Sequence, residues 1–239
     1  MLRIGLASYS CINNGLDYNI SQIERAMQEA AGRADLLCFG EAFLQGFDSL
    51  CWDYASDRDV AVTQDSAEIR ALAKLTRRYH VDLGLGYLER FDDTLYSSYM
   101  ILSQGQVLHN YRRVSPGWRE VRLTDSHYRE GDTSEDFLYR GRQMRVALCG
   151  DLWEYPARFR TQGILLWPVY VDYTVNEWVS GEILEYAKQA SLAAADTLLI
   201  NSISDDPDGS HGGALHFREG AVSSSHPFDR QGILYITLG

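Results

Sequence analysis

No stretch of this chain approaches the roughly 20 consecutive apolar residues that a membrane-spanning helix needs, and Met1 runs straight into Leu2-Arg3-Ile4-Gly5-Leu6. That start lacks the basic residues and small-residue cleavage site of a signal peptide, so the expected location is the cytoplasm. Basic residues are scarce: 22 Lys and Arg stand against 33 Asp and Glu, for a formal net charge of −11. Such a balance argues against nucleic acid or an anionic membrane as partner, since either needs a basic patch. Cysteine is scarce too. Cys11, Cys38, Cys51 and Cys149 are scattered, with no C-x-x-C pair and no His-rich tract. This excludes a disulfide framework and a zinc site, so no metal is expected. Internal repeats, low-complexity tracts and Pro/Ser-rich linkers are all missing, which leaves residues 1–239 as one expected domain.

The 239 residues that remain to be explained are 45% hydrophobic and 23% charged. With a mean hydropathy of −0.27, they are ordinary for a globular protein with a substantial core. Strand-like and helix-like patterns alternate. Leu2–Tyr9 is apolar and ends at the Asn13-Asn14-Gly15 turn. Ile20–Arg33 has helical spacing, with Asn19 or Ser21 available as a cap. Leu36–Phe39 reads as a short buried strand and Asp65–Tyr79 as a helix. In Val81–Leu88, Gly84 and Gly86 suggest that another backbone approaches closely. Thr94–Ser103 and Gln106–Tyr111 flank a Gln104-Gly105 turn and read as a hairpin. Gln143–Leu148 and Ile164–Trp167 are strands joined by a possible helix at Pro156–Gln162. Glu177–Ala195 is the longest helical candidate, although Gly181 interrupts it. Thr197–Ser202, Gly213–Phe217, Ala221–Ser224 and Ile233–Leu238 complete the strands. The order fits an α/β fold of two mixed sheets packed face to face with helices on their outer faces.

Three segments carry candidate chemistry. Cys149 ends the apolar run from Met144 and is followed at once by Gly150-Asp151-Leu152-Trp153. A thiol where a buried strand breaks into a turn is rigidly held yet accessible, which suits a nucleophile; a lone cysteine is otherwise more often a core hydrophobe. Glu41 follows Leu36–Phe39 after Gly40, at that strand's end amid apolar neighbours, where burial should raise its pKa and suit it to general-base work. The competing reading is a loop-capping glutamate. Tyr111-Arg112-Arg113 places a cation just past the hairpin, with Glu120 shortly beyond; alone it reads as a solvated basic pair.

Taken together in chain order, these segments resemble the carbon–nitrogen hydrolase (nitrilase) superfamily, whose triad is Glu, Lys and Cys. Phe39-Gly40-Glu41-Ala42-Phe43 looks like its glutamate segment, and Tyr111-Arg112-Arg113 falls where the family has Tyr-Arg-Lys. Val146-Ala147-Leu148-Cys149-Gly150-Asp151-Leu152-Trp153 looks like its cysteine elbow. The resemblance implies a four-layer α-β-β-α sandwich, usually a homodimer, with no cofactor. It implies hydrolysis of a small amide or carbamoyl compound through a thioester on Cys149, with Glu41 as general base. Arg113 and the Gly150 N–H then hold the oxyanion, and Glu120 helps position the amide. Trp153 and Tyr173 are expected to line the pocket. Asp151-Leu152-Trp153 is similar to a stretch of the glutaminase domains of NAD synthetases, and nitriles are the least expected substrates. Arginine replaces the family's lysine, keeping its charge but not its readily lost proton. Two rivals stay open: a catalytically silent relative that binds an amide or a protein, and an acyltransferase using the same thioester. A Cys–His pair using His127 or His211 is a third, weaker alternative.

Overall fold

Six of the seven residues in the first strand are buried, which marks a strand covered on both faces. The computed structural model describes residues 1–239. That strand, β1 (Leu2–Ser8), and the two-residue β2 (Ser10–Cys11) lead into α1 (Leu16–Ala30) and β3 (Leu36–Cys38). Next come α2 (Tyr54–Val60), α3 (Ala67–Tyr79) and a meander of β4 (Asp82–Phe91), β5 (Thr94–Ser103) and β6 (Gln106–Arg112). The second half opens with β7 (Phe137–Tyr139), β8 (Arg142–Val146), the one-turn α4 (Asp151–Glu154) and a 3-10 turn at Pro156–Phe159. It continues through β9 (Ile164–Val169), α5 (Val175–Glu177), a π-helical turn at Trp178–Glu182, α6 (Ile183–Ser191), β10 (Asp196–Asn201) and β11 (Ile203–Ser204). The last strands are β12 (Ala214–Arg218), β13 (Ala221–His226) and β14 (Gly232–Leu238).

Twelve of these strands form two six-stranded mixed sheets, ordered β14-β1-β3-β4-β5-β6 and β13-β12-β10-β9-β8-β7, and β11 pairs with β2 apart from them. Each has three parallel strands at its centre, β1-β3-β4 and β10-β9-β8, with antiparallel neighbours outside them. Alternation along the strands sorts the core into layers. Ile4, Leu6 and Leu36 meet Val146, Leu166 and Leu198 between the sheets, whereas Leu37, Leu83 and Leu85 pack under Ile23, Met27, Ile69 and Leu72 of α1 and α3. The helical turns from Trp178 to Ala190 cover the second sheet. This is the expected α-β-β-α sandwich.

Several boundaries differ from the sequence reading, for physical reasons. α1 starts at Leu16, and Asn19 does not cap it. Asn19 is buried inside the helix, where its amide instead accepts from Ile12 N and donates to Ile12 O and Leu44 O, pinning two loops. Ser66 caps α3 and accepts from Ile69 N, so that helix starts at Ala67. The long helix expected from Glu177 is broken into α5, a π turn spanning Gly181, and α6, and α1 is the longest helix. Pro156 supports only a 3-10 turn.

Candidate active site

The end of β3 and the middle of β4 create the seat for Glu41. Gly86 in β4 lies directly under the Gly40–Ala42 backbone; a Cβ there would collide with Gly40 O and stand 2.6 Å from Ala42 N. The absence of that side chain lets the turn rest on the sheet, and Leu44 N donates to Gly86 O at 3.1 Å. Glu41 is 1% exposed. Its Oε1 accepts from Arg113 Nη1 at 2.9 Å and from Ser97 Oγ at 3.0 Å. Its Oε2 is equally buried and has no partner.

Arg113 stands one residue past β6 and is 3% exposed. Its backbone is held on both sides, N–H to Ser97 O at 2.8 Å and carbonyl from Gly131 N at 2.7 Å. Its Nε donates to Ser115 Oγ at 2.8 Å and Nη1 to Glu41, which leaves Nη2 as the unengaged donor. Nη2 lies against Gly150, where a Cβ would come within 2.6 Å of it. Burial works against the Arg113 charge, but Glu41, then Cys149 and Asp151, outweigh it and hold the guanidinium above its ordinary value. The residue is therefore a fixed cation that cannot serve as an acid.

Cys149 leaves the end of β8 in a left-handed conformation, φ +40°, which costs a non-glycine residue on the order of 1–2 kcal/mol. The end of β9 holds it there through consecutive residues. Pro168 O accepts from Cys149 N at 2.9 Å, Val169 O accepts from Glu41 N at 3.3 Å, and Tyr170 O lies 3.6 Å from Cys149 Sγ. Trp167 Nε1 also donates to Cys149 O at 2.9 Å. Burial, reinforced by Glu41 and opposed by Arg113, pushes the thiol up to about 12. That shift favours the protonated thiol.

Asp151, fully buried, ties the cation's loop to the cysteine's. Its Oδ1 accepts from Val114 N at 3.1 Å and Ser115 N at 2.8 Å, while Oδ2 accepts from Tyr111 OH at 2.6 Å and Leu148 N at 2.8 Å. Burial raises its pKa against the pull of Arg113. Sequence reasoning passed over this residue, because an acid after glycine looks like a helix-start residue facing solvent.

Cys149 opens into a cavity of about 300 Å³, whose wall includes Phe47, Gly117 and Tyr170. The structure thus brings Glu41, Arg113, Cys149 and Gly150 together. It places the other candidates elsewhere. Glu120 is exposed at the start of a turn whose amides bond to its carbonyl. Trp153 is 41% exposed and packs edge-on against Tyr186 at 5.0 Å, outside that wall. Tyr173 likewise packs edge-on against Trp178 at 5.5 Å. The expected lining residues are replaced by Phe47 and Tyr170, stacked at 4.4 Å. Of the two histidines of the Cys–His alternative, neither lines the cavity: His127 pairs with Asp125 and His211 lies beside Asp229.

A buried carboxylate–cation pair beside a strand-end thiol, spread across two packed sheets, defines the class of site. The family model for carbon-nitrogen hydrolase matches residues 4–161, a stretch that contains Glu41, Arg113 and Cys149. The chain belongs to the carbon-nitrogen hydrolase family. An (R)-stereoselective amidase from a Pseudomonas species is 26% identical over 151 residues, 63% of this chain and 52% of that protein. The match thus spans about half of that relative. An amidase of Nesterenkonia AN1, from the nitrilase superfamily, superposes with a TM-score of 0.79 at 17% identity, covering 99% of this chain and 90% of that one. The glutamine-dependent NAD+ synthetase of Acinetobacter baumannii superposes with a TM-score of 0.76 at 18% identity, over 98% of this chain but 45% of that one. These two likenesses show the shared fold.

Proposed function

We propose that the chain hydrolyses the C–N bond of a small linear amide or carbamoyl compound through a thioester on Cys149. The observation that carries this reading is the free Oε2 of Glu41, buried in an ion pair whose charges act directly on the Cys149 thiol. Glu41 takes the thiol proton as sulfur attacks the carbonyl carbon. The oxyanion is met by Arg113 Nη2 and the Gly150 N–H, neither of which has an acceptor within the protein. Because the guanidinium keeps its proton, Glu41 alone returns one to the departing amine. Glu41 then activates the water that cleaves the thioester. The carbon-nitrogen hydrolase family and its amidase relatives support the reaction class.

Ammonia release from a panel of small amides, ureido acids and nitriles tests the reading. Amides or ureido acids should be turned over, Cys149→Ala should abolish release, and Glu41→Gln should reduce it by more than about tenfold. Full activity in Cys149→Ala would overturn the mechanism. Release that depends on an added amine acceptor would reassign the chain to acyl transfer.

A further inference from the structure

Four aspartates surround the opening through which Cys149 meets solvent. Asp48, Asp172, Asp206 and Asp208 belong to the same cavity wall as the thiol, although they come from three separate loops. None of them is in an ion pair of the protein. Asp48 Oδ2 accepts from Tyr170 OH at 3.0 Å, and Asp206 Oδ1 accepts from Asp208 N at 3.0 Å. The carboxylates of Asp172 and Asp208 have no hydrogen-bond partner at all. All four are exposed, and like charges gathered without counter-ions favour a cation among them.

Two buried groups of the candidate site, Arg113 and Glu41, lie behind the cavity wall. The Arg113 side chain is almost wholly buried, and its unengaged Nη2 ends against Gly117 of the same wall. The free Oε2 of Glu41 stands with it beside the thiol. Above these groups, the Phe47–Tyr170 stack offers aromatic surface, a good neighbour for both an alkyl chain and a cation.

We infer that the substrate is an amide or carbamoyl compound bearing an ammonium or guanidinium group, which the four aspartates bind while the carbonyl carbon sits at Cys149. This rests on the hydrolase reading and narrows it to a charge class. The carboxylates also work against anionic amides, so selectivity arises from attraction and repulsion together. Ammonia is released at the floor of the cavity, and the charged tail is held at its mouth.

The test compares kcat/KM for short aliphatic amides of equal length ending in a methyl, an ammonium or a carboxylate. The ammonium compound should exceed the methyl compound by about tenfold or more, as several partly exposed charge pairs together supply, and the carboxylate compound should be the poorest. Asp172→Asn and Asp208→Asn should each lower the ammonium-to-methyl ratio by roughly two- to fivefold. High salt should compress the ratio, since these charges face solvent. Equal turnover of the ammonium and methyl amides, or a ratio unmoved by both substitutions, would overturn the inference. Calorimetry on the native chain with an alkylammonium and the matching alkanol gives a readout free of chemistry. Salt-sensitive binding of the alkylammonium alone, with no amide hydrolysed, would refute the hydrolase and leave the cation site. Hydrolysis without charge preference would do the reverse.

Discussion

Arg113 is held by contacts that a lysine could only partly reproduce. Nε reaches Ser115, Nη1 reaches Glu41, and Nη2 has no acceptor within the protein, which is what the proposed oxyanion role uses. Lysine carries its three donors on one nitrogen, so it can keep the Glu41 contact and the charge while losing the Ser115 anchor. Arg113→Lys should therefore remain active. Arg113→Ala should lose activity by at least two orders of magnitude, the usual cost of an oxyanion donor, and about 3–5 kcal/mol of stability, because Glu41 would be left as a lone buried charge. Steady-state kinetics and urea unfolding on both variants check this. Wild-type rates in Arg113→Ala would remove the residue from the mechanism. The placement of Glu41 and Cys149 at strand ends was legible from single residues, because each closes a short apolar run. Asp151 was not. Its importance lies in four donors that converge on it only after folding, and no local pattern announces a buried acid.

At the scale of elements, Asp151 joins the start of α4 to the loop after β6, so in the proposed reaction its part is to place other groups. An amide in its place keeps one acceptor oxygen and turns N–H groups toward donors. Asp151→Asn should strand donors at about 1–3 kcal/mol each and lower kcat more than it raises KM, whereas Asp151→Glu should restore little, since the four distances are tight. A second element-scale effect concerns β6 and β7, edge strands of opposite sheets, where His109 stacks on Phe137 at 4.2 Å. Burial pushes His109 down to about 4, and its Nε2 is buried without a partner. The unfolded chain takes up this proton near pH 6.5 and the folded chain only near pH 4, so stability is full above about pH 6.5 and falls as pH drops toward 4. The urea midpoint of His109→Phe should fall less over that window than that of the native chain; parallel curves would rule His109 out. Elements with strong periodicity, such as α3 and the β5–β6 hairpin, were readable from sequence. Two-residue β2 and β11 and the π turn were not, because tertiary contacts determine them. Gly86 did announce a close backbone approach, by the segment that carries Glu41, whereas at Gly84 the close neighbours are the Tyr99 and Cys38 side chains.

For the whole molecule, the outer helical layer leaves Val179 67% and Leu184 64% exposed. We propose that a second copy covers this face, as the family resemblance implies. Light scattering should give twice the chain mass, and Val179→Glu with Leu184→Glu should halve it while the circular dichroism spectrum stays native, with the melting temperature falling as the dimer's stabilisation is lost; a monomeric native chain would refute this. The acidic rim was beyond sequence reasoning, since Asp48, Asp172 and Asp208 are far apart until the loops converge. Finally, Glu41 and Arg113 are carried by one sheet and Cys149 by the other, with the carbonyls ending β9 as the common anchor. On the proposed mechanism, neither half of the molecule owns a working site. During refolding, a chain with both sheets formed but not yet seated on each other would display full secondary structure and no turnover. Recovery of activity is thus a clock for the docking of the two sheets, and its lag behind the circular dichroism signal would measure how long that docking takes.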